Sequence, residues 1–278
     1  MAEVDIERYV THSKADIDAY VARSKALDLG DVPWHEVPRY PLSTDTVRTL
    51  RYMQDIEGHT IIYLRSLLAT RAVDDPEIAT FLACWLYEET FHAIALARFL
   101  EAAGHPMGPR EIPRGKEKIG QRLEGFVTAF VSKAWPDFCA LHMTWGAINE
   151  LLTLTGYRRL QDVANHPVLT ELLARIMRDE SRHFSFYYHQ AEIRLARRGV
   201  APVVRRIVKS YWGPVGTGVA PIADTLFLGR YLFSGPEGAA AAQKIDDTIS
   251  RLPGFADVRP VSAWVAKYAN QPAGGASN

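Results

Sequence analysis

Two copies of Glu-x-x-His carry the most specific chemistry in this chain, Glu89-Thr90-Phe91-His92 and Glu180-Ser181-Arg182-His183. Positions i and i+3 share a face of an α-helix, so each copy aims one carboxylate and one imidazole at a common point. About one helix before each copy stands a further acid inside an apolar-periodic stretch, Glu57 and Glu150. The spacings run in parallel, 32 residues from Glu57 to Glu89 and 30 from Glu150 to Glu180, and each fits one antiparallel helix return. One Glu-x-x-His arises readily by chance. Two copies, each matched to an inward acid, are far more specific. Four carboxylates and two imidazoles make a hard oxygen–nitrogen donor set suited to two Fe ions, or to Mn with Fe, whereas the lack of thiolate disfavours zinc–sulfur and iron–sulfur sites. Such a set belongs to a di-metal site in the core of a four-helix bundle. Reading the acids as ordinary surface groups conflicts with their position on apolar stripes, where an unpaired carboxylate is costly to bury.

The elements that must position these residues follow from caps and periodicity. Ser43, Thr44 and Asp45 offer N-caps for a helix to about Arg71, with Leu50, Met53, Ile61, Leu64 and Leu68 on the stripe of Glu57. Asp75-Pro76 is a cap followed by proline at the first helical position. That second helix carries Phe81, Trp85, Glu89, His92, Leu96 and Phe99 at steps of three and four, and ends near Gly104-His105-Pro106. A Gly/Pro-rich connection over 104–115 and a shorter helix over 116–134 are expected next. Trp135-Pro136 restarts a helix to Ala164, with Met143, Gly146, Glu150, Thr153, Tyr157 and Leu160 on one face. After Asn165-His166-Pro167, a last long helix runs to Arg198 with Leu169, Leu173, Ile176, Glu180, His183 and Tyr187 inward, and Gly199 ends it. Residues 1–42, with Pro33, Pro38 and Pro41, read as an irregular or partly helical lead-in. Residues 200–278 read as short helices (201–212 and 237–251) around a Gly/Pro-rich segment, then a polar tail. The expectation is an all-α fold: one domain over 1–278, with a core bundle over 45–198 and additional helices.

Totals narrow the function classes. Of 278 residues, 32 are basic, 32 acidic and 47% apolar, which allows a substantial core and argues against a nucleic-acid partner, which needs a basic excess. Cys84 and Cys139 sit among apolar residues in no ligand spacing, as buried thiols of a reducing compartment would. The start of the chain lacks a basic, apolar leader, and no uncharged apolar run reaches spanning length, so a cytoplasmic protein without membrane insertion is expected.

At the ligand motifs the chain resembles the soluble acyl–acyl carrier protein desaturases, a di-iron branch of the ferritin-like superfamily. Trp85-Leu86-Tyr87-Glu88-Glu89-Thr90-Phe91-His92 is similar to that family's Trp-x-x-Glu-Glu-x-x-His, and Asp179-Glu180-Ser181-Arg182-His183 to its Asp-Glu-x-Arg-His. His166-Pro167-Val168-Leu169 is similar to the family's Asp-Pro-Val-Leu, and Glu150-Leu151-Leu152-Thr153 to its Glu-x-x-Thr. The chain differs at Phe91, where members often carry Arg, and at Gly58. The likeness covers roughly residues 45–195. It implies a ferritin-like bundle, a homodimer, two irons, and desaturation of a fatty acyl chain on acyl carrier protein, with electrons from a ferredoxin-type donor.

The resemblance also implies roles. Glu57, Glu89, His92, Glu150, Glu180 and His183 are the ligands, with Glu89 and Glu180 bridging and Glu57 and Glu150 terminal. Thr153 would relay a proton beside the metals; a helical Thr bonded to its own backbone is the equal alternative. Asp179 would orient an imidazole, and Trp85 would line an electron route or simply pack. Glu88 and Arg182 read as helix-surface residues or supports of the ligands, and His59, His142 and His189 as structural. Arg110, Arg114, Lys116, Lys118 and Arg122, or else Arg205, Arg206 and Lys209, would dock an acidic carrier or remain solvated. Hydroxylation or N-oxygenation is the chemical alternative to desaturation. Ile176 stands where an arylamine N-oxygenase has an extra His, and Leu96 where a ribonucleotide reductase small subunit has its radical Tyr. Iron storage and a purely interacting bundle are the non-enzymatic alternatives.

Overall fold

The computed structural model describes residues 16–108, 135–217 and 221–269. Among the described residues no β-strand forms, and the architecture is an all-α bundle of four long helices with additional helices. In chain order these are α1 (Ile17–Arg23), α2 (Thr44–Leu67), α3 (Pro76–Ala102), α4 (Phe138–Ala164), α5 (Pro167–Leu195), α6 (Val200–Tyr211), α7 (Ile222–Phe233), α8 (Gly235–Ile249) and α9 (Pro260–Trp264). The expected helix over 116–134 and the basic cluster Arg110 to Arg122 lie outside the described residues.

Local chemistry starts and stops the long helices close to the expected places. The Ser43 hydroxyl accepts from the Thr46 amide (3.1 Å) at the head of α2. The Asp75 carboxylate accepts from the Glu77 amide (3.0 Å), with Pro76 preset for the first turn of α3. Asn165 takes the left-handed conformation (φ 46°) to end α4, and two residues later Pro167 opens α5. There an imidazole does the capping: His166 Nδ1 accepts from the Leu169 amide at 3.1 Å.

α2 packs on α3 and α4 on α5 as two antiparallel pairs, which meet across α3 and α5. At 27 and 29 residues, α3 and α5 are each ~40 Å long. The core side chains Leu50, Phe81, Leu96, Phe99, Met143, Leu160, Leu173 and Ile176 are all buried. Two stripe residues behave otherwise. Ile61 and Leu68 are exposed, because the buried stripe of α2 passes through Thr60, Leu64 and Leu67 and Leu68 lies past the helix end. Cys84 and Cys139 are half-buried free thiols rather than fully buried ones.

The C-terminal segment departs most from the expectation. Part of the stretch read as a Gly/Pro-rich connection is helix α7, and α5 stops at Leu195 rather than Arg198. These last helices are fastened to the bundle. The Tyr52 hydroxyl donates to the Val215 carbonyl (2.8 Å), and Arg159 Nε donates to the Leu232 carbonyl (3.1 Å). Buried Asp246 on α8 accepts from the Val261 and Ser262 amides (3.0 and 2.8 Å), fixing the start of α9. Gly229 lets α7 touch the last helical segment, since a Cβ there would lie 2.4 Å from the Trp264 ring. No helix among the described residues is long and apolar enough to cross a membrane.

Candidate metal centre

All six residues singled out from the sequence meet in the bundle core. They form two four-residue groups, Glu57, Glu89, His92 and Glu180, and Glu89, Glu150, Glu180 and His183. Within each group the donor atoms lie within 4.8 Å of one another, and every member is buried. Glu89 and Glu180 belong to both groups, while Glu57 and Glu150 belong to one each. The shared pair are therefore the two bridging candidates. His92 Nδ1 lies 3.2 Å from Glu180, 3.9 Å from Glu57 and 4.0 Å from Glu89. His183 Nδ1 lies 3.1 Å from Glu89, 3.6 Å from Glu180 and 3.7 Å from Glu150.

Whether a metal fits is decided by the polar atoms left over. His92 Nδ1, His183 Nδ1 and both carboxylate oxygens of Glu180 are buried without a hydrogen-bond partner. The short His92–Glu180 approach brings two such atoms together without the direction of a hydrogen bond. Burying orphaned polar groups costs ~1–3 kcal/mol each, and these converge on one place. Three carboxylates and an imidazole Nδ1 around each position suit a hard divalent cation.

Electrostatics agree with that fit. Burial, then the neighbouring carboxylates, push Glu57 well above the usual carboxylate range, and burial does the same to Glu150. Burial alone would raise Glu180, but the two imidazoles beside it outweigh burial and hold its carboxyl low. Burial lowers His92, yet its bond to Asp179 and the charge of Glu180 beside it prevail and lift it to about 10. Burial lowers His183 too, but Tyr20 and then Glu150, Glu180 and Glu88 outweigh it and raise that imidazole. Cations placed among these groups would take over the role of the protons.

The outer face of each imidazole is held crosswise. His92 on α3 meets Asp179 of α5 through Nε2 at 3.2 Å, while His183 on α5 meets Glu88 of α3 through Nε2 at 2.8 Å. Each bond fixes the tilt of its ring and leaves Nδ1 facing the carboxylates, where a bound metal would take the place of a proton. Arg182 ties the two acids together, donating to Asp179 (2.7 Å) and Glu88 (2.5 Å). Tyr20 from α1 donates to Glu88 as well (2.8 Å). Asp179 thus takes the position expected of it.

Glu88 is the residue that sequence reasoning left undecided between surface and support. It is completely buried. A signal was present, because both halves read acid-Glu-x-x-His, as Glu88-Glu89 and as Asp179-Glu180. Tyr157 was named only as a stripe residue, and its hydroxyl donates to Glu57. Trp85 is buried and faces Tyr187 edge-on at 6.0 Å. Of the other histidines, His59 bonds the Asp55 carbonyl and His189 approaches Glu192.

Thr153, Glu57 and Tyr157 line a narrow apolar cavity of about 70 Å³ beside the carboxylates. Its other walls include Met53, Leu152, Trp212, Leu228, Phe233 and Trp264, so the C-terminal helices roof it. Across Tyr52 and Ile56 lies a polar pocket of about 350 Å³ lined by Arg48, Arg51, Asp55, His59 and Asp224. Comparison with models of known protein families, with curated proteins and with solved structures gives no match to this chain.

Proposed function

We propose that this chain is a di-iron oxidoreductase of the acyl–acyl carrier protein desaturase type, which uses dioxygen to desaturate a fatty acyl chain delivered on a carrier protein. The observation that carries the reading is the convergence of the unpartnered Nδ1 atoms and Glu180 oxygens on two shared donor groups. Two irons, or Mn with Fe, held by Glu57, Glu89, His92, Glu150, Glu180 and His183 would supply the activation of dioxygen that oxidation of an unactivated C–H bond requires.

The chain's own residues do the remainder. Asp179 and Glu88 fix the tautomer and tilt of the two imidazoles. Tyr157 holds Glu57 in place through its hydroxyl. Met53, Leu152, Leu228 and Phe233 exclude water from the cavity and favour an aliphatic segment beside Thr153. The Thr153 hydroxyl can accept or return a proton there. The polar pocket next to Tyr52 suits a substrate whose apolar part continues into a polar head. A ferredoxin-type donor and a second copy of the chain complete the assembly that the motif resemblance implies.

The test is product mass after the iron-loaded protein receives oxygen, a ferredoxin reducing system and a panel of acyl–carrier proteins. Loss of two hydrogens establishes desaturation. Gain of one oxygen atom moves the chain to the hydroxylases. Failure to bind iron refutes the reading altogether.

A further inference from the structure

A second layer of functional side chains lies next to the carboxylates, one from each long helix. Trp85 stands four residues before Glu89, His142 eight before Glu150, Tyr187 four after His183 and Tyr63 six after Glu57. Because α2 and α5 run one way along the bundle and α3 and α4 the other, these offsets all fall on the same side of the metal ligands. The four rings close on themselves: Tyr63–Trp85 6.2 Å, Trp85–Tyr187 6.0 Å, Tyr187–His142 5.7 Å and His142–Tyr63 6.0 Å between centroids. Gly146 makes room for this layer, since a Cβ there would sit 2.3 Å from the Tyr187 ring.

Two features exceed what packing needs. The Tyr63 hydroxyl lies 3.1 Å from His142 Nδ1, and burial lowers that imidazole to about 3, leaving it neutral with a lone pair for the phenol. His142 Nε2 and Trp85 Nε1 are buried without partners, each at a cost that an apolar side chain of similar size would avoid. Trp85, His142 and Tyr187 are buried, whereas Tyr63 is 45% exposed. The layer therefore joins the metal ligands to the surface through oxidisable rings, and its outer member has a base in hydrogen-bond contact.

We propose that Tyr63 and His142 form a redox-active pair that passes single electrons to the metal centre through Trp85 and Tyr187. The proposal rests on the di-iron reading for its oxidant, the oxygen-oxidised metal pair. Tyr63 gives up one electron to that oxidant, and its phenolic O–H bond breaks as the proton moves to His142 Nδ1. A neutral phenoxyl and an imidazolium result, with the oxidant reduced by one electron. A one-electron donor at the surface then reduces the phenoxyl as His142 returns the proton. Without the base, oxidation would leave a strongly acidic phenol radical cation, which is far harder to form.

Two measurements on the full chain test this. Iron-loaded, reduced protein is mixed with oxygen, freeze-quenched and read by electron paramagnetic resonance. A tyrosyl signal is expected in wild type and lost in Tyr63→Phe, with iron stoichiometry unchanged. An undiminished signal in Tyr63→Phe, or none in iron-loaded wild type that consumes oxygen, overturns the proposal and leaves the metal reading standing. If iron does not bind, the metal reading fails, and flash oxidation of the metal-free chain by a photogenerated ruthenium(III) complex decides the pair. Tyr40, Tyr87 and Tyr211 are exposed as well, so the readout is the phase of phenoxyl formation that Tyr63→Phe removes; that phase should slow about tenfold in His142→Phe, a factor equal to ~1.4 kcal/mol in the barrier. Equal rates in wild type and His142→Phe overturn the proposal.

Discussion

Replacing Glu88 with Gln removes one charge and almost no volume, so its effect isolates what that buried carboxylate does. Three donors converge on it: Tyr20 and His183 Nε2 on one oxygen and Arg182 on the other. An amide has only one accepting oxygen. Whichever way the substituted amide turned, its NH2 would face a donor, costing one charge-assisted bond of ~1.5–3 kcal/mol and orphaning a buried group. A net loss of ~3 kcal/mol corresponds to a melting temperature lower by ~6–12 °C in a chain of this size. Burial would raise the Glu88 carboxyl, but His183 and Arg182 outweigh it and hold it at about 2. With the folded value below the ordinary one, this stabilisation is full above pH 4.5 and disappears as the pH falls through about 2. The gap between wild type and Glu88→Gln should therefore narrow in acid. His183 would lose its orienting partner, and iron affinity should drop ~10–100-fold. Calorimetric melting and competition with a chromogenic iron chelator measure the two effects, with Glu101→Gln on the exposed face as control. A Glu88→Gln protein that melts and binds iron like wild type would refute the crosswise support of the imidazoles.

Other consequences are as direct. Glu89 and Glu180 belong to both donor groups and Glu57 to one, so Glu89→Ala should bind no stoichiometric iron while Glu57→Ala keeps a single ion; metal analysis after desalting checks this, and equal iron in both variants would contradict the sharing. Four of the candidate ligand groups are shifted upward, Glu57 and Glu150 by burial, His92 by acidic neighbours and His183 by Tyr20 and acidic neighbours that outweigh burial. Loading two divalent ions at neutral pH should then release ~four protons, and affinity should fall as the pH falls. Calorimetry in buffers of different ionisation enthalpy counts those protons, and buffer-independent heats would refute the shifts. A Cβ on Gly156 meets only ordinary contacts at 3.7 and 3.8 Å, whereas one on Gly229 meets the Trp264 ring at 2.4 Å. Gly156→Ala should therefore stabilise by ~0.5–1 kcal/mol through helix propensity, and Gly229→Ala should destabilise by ~1–3 kcal/mol; melting curves with the same sign would undo this account of the roof.

The buried acid cluster was legible because an acid on an apolar stripe is expensive, so its presence there is informative. Helix periodicity places Glu57, Glu89, Glu150 and Glu180 inward from each helix alone. It cannot place Glu88, which lies ~100° around α3 from Glu89, on a flank whose burial depends on where α5 and α1 come to rest. His142 was readable only as a histidine in an apolar stretch, because its partner Tyr63 lies 79 residues earlier on another helix. α7 was hidden by the glycines and prolines before it, and Gly229 in its interior weakens any local helix signal. The reason for that glycine is tertiary, the ring of Trp264, 35 residues further on. What the sequence did hold, in doubled form, is the outer pair of acids. Glu88 and Asp179 each precede a Glu of the buried cluster, and each serves the histidine of the opposite helix. Either copy alone specifies a helix face. Only the two together require α3 and α5 to lie antiparallel in one register, since a slip of one turn (~5.4 Å) would part both imidazoles from their acids at once.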